Sequence, residues 1–182
     1  MEKFLVTSAV LPVERLLGEY CFPERFRPAC WSCPDYGNDW SCPPGVPSAA
    51  KALAPFRTAR VLGLRVFYDA DARRSAVTDQ QTEALRRQIY GPAKRCLLET
   101  LLELERARPG SWTIAAGRCE LCPRCARRDG QPCRMPERMR YSFSAFGFDL
   151  GALARQELGI ELQWAAHGLP EYDVALAAFL ER

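Results

Sequence analysis

Cys119-Glu-Leu-Cys122-Pro-Arg-Cys125 sets three thiols at a strict three-residue spacing, and Cys133 follows after seven more residues. A tight loop with that repeat aims three thiolates at three corners of one [4Fe–4S] cubane, and a fourth sulfur from a nearby turn closes the last iron. Here the fourth ligand arrives on the loop 126–132, and Arg134 rather than proline follows it. Zinc held by four thiolates is the competing chemistry, because Cys-x-x-Cys pairs also bind that ion. Zinc sites favour two well-separated pairs, so the triple run favours iron–sulfur.

A second set of thiols lies upstream, in Cys30-Trp-Ser-Cys33 and Cys42-Pro-Pro, with Cys21 as a fourth. Prolines at 23, 28, 34, 43, 44 and 47 exclude a regular helix or central strand across most of residues 21–47. A loop that long needs a function or a ligand to hold it, and bound metal supplies the missing cross-links. With Cys21 as a ligand the segment holds a second full cluster, and an electron relay follows. If Cys21 only packs as a small apolar side chain, one iron lacks a protein ligand and is open to substrate. The spacing leaves both readings open, and leaves open whether the two segments form one centre or two.

Nine cysteines in 182 residues is the outstanding compositional feature. The count is odd, and residues 1–12 lack the apolar core and cleavage site of an export signal. The expectation is a cytoplasmic protein whose cysteines bind metal and form no disulfides. The length suits one domain spanning 1–182, with metal-binding loops at about 21–47 and 118–140. A net charge of +3 gives no argument for nucleic acid, and no run of eighteen apolar residues suggests a membrane span. Seven arginines between Arg118 and Arg140 would offset the negative charge of a thiolate-bound centre. They also read as a solvated basic face or a docking patch for an acidic partner. Phosphate-binding glycine loops, nucleophile elbows, histidine zinc-protease motifs and paired carboxylates are missing from the sequence. Electron transfer with a redox partner protein is the leading expectation. A zinc-stabilised binding module and a metal sensor or trafficking protein are the alternatives. The oligomeric state is not readable.

The elements that must carry these loops make an α/β fold, with α+β as the alternative: a small mixed sheet with flanking helices. Phe4–Val10 reads as a strand and Val13–Gly18 as a short helix after Pro12. Ser48–Phe56 is a second short helix, Arg60–Tyr68 a buried strand, and Asp69–Arg74 a polar turn. Thr78-Asp-Gln-Gln81 is a capping box. It opens a long helix with apolar positions at Leu85, Ile89, Ala93, Leu97, Leu101 and Leu104. Gly91-Pro92 is expected to kink or divide it, and Cys96, beside the stripe, to be a core residue. Ser111–Ala116 is the next strand, so strand, helix and strand suggest a parallel pair joined by a crossover. Tyr141–Phe148 is a compact apolar loop. Asp149 caps Leu150–Leu158, which Gly159 ends. Ile160–Ala165 alternates as a third strand, His167 lies in a turn, and Tyr172–Leu180 returns as an antiparallel strand, with helix as its alternative.

The motifs Cys30-x-x-Cys33-Pro-x-Tyr36-Gly37-x-x-Trp40-x-Cys42-Pro43-Pro44 and Cys119-x-Leu121-Cys122-x-x-Cys125, then Cys133-Arg134-x-Pro136, Ser142 and Gly147-Phe-Asp149, are ordered along the chain. This pattern resembles the bacterial and archaeal "predicted metal-binding protein" family, domain of unknown function 2284, over roughly residues 28–182. The resemblance implies a small cytoplasmic α/β protein with cysteine-bound metal, iron–sulfur by expectation, and it implies no particular reaction. Tyr141–Phe146 departs from the Ser-Met-Glu-like stretch of such proteins, and Cys21 falls on no motif position.

Overall fold

The computed structural model describes residues 3–165 and 168–182. Its strands are β1 (Lys3–Pro12), β2 (Thr58–Phe67), β3 (Trp112–Ile114) and β4 (Tyr172–Glu181). They form one antiparallel sheet in the order β1-β2-β4-β3. The helices are α1 (Val13–Tyr20), α2 (Pro23–Phe26), α3 (Pro28–Trp31), α4 (Ala49–Leu53), α5 (Ala70–Ser75), α6 (Asp79–Ala107) and α7 (Leu150–Leu158). Helices and strands are therefore mixed, as the sequence suggests.

Successive side chains of a strand point to opposite faces, and both faces of β2 and β4 are covered. Ala93 and Leu101 of α6 pack on one face, against Leu64, Val66, Ala175, Ala177 and Phe179. Leu16, Leu53 and Leu153 of α1, α4 and α7 pack on the other, with Val61, Leu176 and Leu180. This double cover explains why β2 and β4 read as continuous apolar runs. Gly63 of β2 allows the close seating of α7's end: a Cβ there would lie 2.8 Å from Ile160 and 2.9 Å from Leu158.

The local signals were sound. Thr78 and Gln81 form the reciprocal capping box, Asp149 Oδ1 accepts from the Ala152 N–H at 2.9 Å, and Gly159 ends α7 in the left-handed region at φ 64°. Tyr172–Glu181 is a strand, paired with β2 along ten positions.

Long-range expectations need correction. β2 and β3 run in the same direction but are not neighbours, because β4 lies between them and is antiparallel to both. The apolar character of β4 on both faces suits this central place. Ile160–Ala165 forms no strand. Ile160 is buried and Leu162 packs on the core, so the apolar residues of this stretch serve packing without joining the sheet, whose β4 pairs with β2 over ten positions and with β3 over three. Asp69–Arg74 is not a bare turn, since Asp69 caps α5 through the Ala72 N–H at 2.8 Å. Gly91-Pro92 does not divide α6, which runs for 29 residues, held by buried Ala93 on one side and Leu98, Leu101 and Leu102 beyond. Cys96 is exposed rather than in the core. At 3.6 residues per turn it points away from Leu98 and Leu101. His167 lies outside the described residues. Among the described residues no helix is long and apolar enough to cross a membrane.

Candidate metal centre

The loop that follows β3 is fastened to α6 at three levels. Lys94 pairs with Glu120 at 3.0 Å, and Leu121, between the first two cysteines, packs on Leu98, Leu102 and Ala115. Farther along, the Arg140 guanidinium grips Glu105, with Nε 2.9 Å from Oε1. A polar pair, an apolar plug and a second polar pair thus fix both ends of residues 118–140.

Within this frame Cys119, Cys122, Cys125 and Cys133 line one cavity, walled by Leu121, Ala126, Met135 and Met139. Asp39 and Trp40 of the upstream segment complete the wall, with Arg134. The enclosed space is about 20 Å³, room for about one water molecule. It opens into about 350 Å³ of atom-free space that includes solvent. Among the described residues no three His, Cys, Asp or Glu side chains converge as a preformed site for a metal ion.

Backbone N–H groups already point at the sulfurs. The Met135 N–H donates to Cys133 Sγ at 3.4 Å, and the Leu121 N–H bonds the Cys119 sulfur. Both come from the residue two positions on, and at Cys119 this contact favours thiolate over thiol. Burial acts oppositely and more strongly at Cys119, pushing its thiol up to about 11, with the Asp39, Cys122 and Cys133 charges adding to the rise. The donor set, four soft sulfurs in a largely apolar recess, fits a thiolate-bound iron–sulfur cluster or zinc. A cubane needs more room than the enclosed space offers, so its entry requires the cysteine and methionine side chains to move outward.

The upstream segment has another construction. Its one-turn helices α2 and α3 begin at Pro23 and Pro28, first-turn positions where the missing N–H is not needed. Cys30 and Cys33 are joined by the Cys33 N–H to the Cys30 carbonyl at 3.0 Å. Burial first, then the neighbouring Cys33, pushes the Cys30 thiol up, while Arg27 opposes this. Burial pushes Cys42 up to about 12, against a lowering contact from the Ser41 hydroxyl. Cys21 stands apart. Its thiol donates to the Phe146 carbonyl at 3.7 Å, it bridges to Phe148, and its side chain packs on the main core.

The two segments are stitched together. Arg127 Nη1 donates to the carbonyls of Asp39 and Cys42 at 2.8 and 2.9 Å, and Nη2 donates to Pro44 at 2.5 Å. Its guanidinium lies 4.7 Å from the Trp40 ring, and Trp40 Nε1 donates to the Gln131 carbonyl at 3.1 Å. Arg128 reaches Asp35 at 3.0 Å. Cys119 N–H donates to Ser41 Oγ at 2.8 Å, and Ser41 Oγ donates to Asp39 Oδ1 at 2.7 Å.

A family model described as "predicted metal-binding protein (DUF2284)" matches residues 17–176. The chain belongs to this family of predicted metal-binding proteins. No curated protein and no solved structure matches it.

For this family member the structure brings Cys119, Cys122, Cys125 and Cys133 to one cavity and sets the segment of Cys30, Cys33 and Cys42 beside it. The arginines are largely engaged within the fold. Arg118, Arg124, Arg128 and Arg140 pair with acids, while Arg127 and Arg134 bond carbonyls. Sequence reasoning missed Asp39 and Ser41, which are 2% and 0% exposed. Their only signal was an Asp-x-Ser spacing inside a proline-rich loop, a common local turn arrangement.

Proposed function

We propose that this protein is a cytoplasmic iron–sulfur protein that carries electrons, with a [4Fe–4S] cluster on Cys119, Cys122, Cys125 and Cys133. The observation that carries this reading is the shared cavity of these four cysteines. When bound, such a cluster supplies reversible one-electron transfer at a potential set by charge, exposure and hydrogen bonds to sulfur. The chain's own part is to hold the thiolates. Leu121 and Met135 N–H groups steady two of the sulfurs, and Leu121, Met135 and Met139 limit water at the wall. The upstream set of Cys30, Cys33 and Cys42 forms a second centre, with Cys21 outside it because its thiol is engaged with Phe146. A redox protein is the partner.

The small enclosed volume favours a second reading, a single zinc ion in a structural site. Metal analysis of protein purified without oxygen separates the two. About four irons and four sulfides per chain, with broad absorbance near roughly 400 nm, support one cluster, and about eight of each support two. A colourless protein holding zinc and no sulfide overturns the redox reading. Zinc that exchanges freely without a change of fold points to trafficking.

A further inference from the structure

Asp39 is a buried carboxylate in the wall of the four-cysteine cavity. Its Oδ1 accepts both Ser41 donors, the N–H at 2.9 Å and the hydroxyl at 2.7 Å, using two lone pairs on one oxygen. Among the described residues no cationic side chain forms an ion pair with it. Arg127, the nearest guanidinium in hydrogen bonding, contacts the Asp39 backbone carbonyl. Arg118 pairs with Glu120 and Asp35 and senses Asp39 only at longer range. Burying a charge without a partner is costly, and here the surroundings that share the space are thiols. Asp39 thus belongs to the upstream segment yet lines the cavity of the downstream cysteines, and its charge is felt by both Cys119 and Cys42.

Resting on the iron–sulfur reading above, we infer that Asp39 is a potential-tuning residue, a fixed negative charge that lowers the reduction potential of the Cys119–Cys133 centre. Reduction takes one electron from a one-electron donor and adds one negative charge to the centre, with no bond made or broken. A carboxylate in the same poorly solvated wall opposes that added charge, while Ser41 and the Cys119 N–H hold the carboxylate in place. Asp39 is therefore a positioning and tuning group rather than a ligand.

The test is a dye-mediated redox titration of the wild type and two variants, followed by visible absorbance. Asp39→Asn removes the charge but keeps an oxygen to accept from Ser41. It is expected to shift the reduced-to-oxidised ratio at fixed potential at least tenfold toward reduced, a rise of about 59 mV for one electron. Ser41→Ala keeps the charge and removes the hydroxyl link, and is expected to shift that ratio less than twofold. An Asp39→Asn protein with a full cluster and an unmoved midpoint overturns the inference and leaves the iron–sulfur reading standing. A wild type without any cluster overturns both. If Asp39→Asn holds no cluster, Asp39→Glu decides: a midpoint near the wild type supports the role of charge, and a tenfold shift overturns it.

Discussion

Between Cys119 and Cys133 the buried side chains are Leu121 and Ala126, whereas between Cys30 and Cys42 they are Asp39 and Ser41. The later segment is rooted in the apolar core and needs only two ion pairs to finish its attachment. The earlier one has no apolar plug among its cysteines and is held from outside, chiefly by Arg127 on three carbonyls. The two thiol sets therefore do not stand on equal terms. Beyond its backbone bonds to Ser142 and Gly147, the upstream segment is expected to depend for its order on the downstream one, and the downstream one on α6.

The sharpest way to break this comparison is to remove one thiol from each set. Cys122→Ser is expected to reduce bound metal at the downstream centre below about a tenth of wild type, since each ligand is needed to close the site. Cys30→Ser should leave that centre filled, and exposed Cys96→Ser should change nothing. Metal content per chain reads all three, and an empty downstream centre in Cys30→Ser would mean one shared site.

Gly147→Ala comes next. Gly147 has φ 85°, and a Cβ there would lie 2.4 Å from Pro23 Cα, at the base of the upstream segment. Backbone strain and overlap together are expected to cost about 3 kcal/mol or more, read from urea unfolding. Arg127→Ala leaves three carbonyls without their donor and should cost about 1–3 kcal/mol. Its signature is faster proteolysis within residues 35–47 with unchanged amide protection in α6. Equal loosening of both segments would refute the dependence described above.

The smallest effect is on pH. Metal-free Cys119 has its thiol raised from 9.0 to about 11 by burial, so the folded state holds the proton more tightly than the unfolded one. Its stabilising contribution is full below about pH 9 and is lost as pH rises through about 11. Urea midpoints of the metal-free protein should fall across that window, and Cys119→Ser should flatten the fall.

How much the sequence disclosed followed the range of the interactions. Capping by Thr78 and Asp149 and the double-sided apolar runs of β2 and β4 are local, and they were legible. The place of β4 between β2 and β3 was not, because strand order depends on pairs over a hundred residues apart. The four cysteines picked out by spacing line one cavity, since one tight loop carries its own geometry. Asp39 escaped notice because its meaning comes from Cys119, eighty residues downstream, through Ser41. The arginines are exposed at 124, 128, 134 and 138, yet Arg127 and Arg134 also bond carbonyls, a use the sequence could not distinguish from a solvated face.

The central position of β4 also orders events during synthesis. Tyr172 follows Cys133, the last cysteine, by 39 residues. At about 5–20 residues per second that is roughly 2–8 s of translation. Throughout that interval β2 and β3 have no strand between them, and every thiol of the chain has already been made. The sheet that backs both cysteine segments therefore closes only after the last thiol has been made.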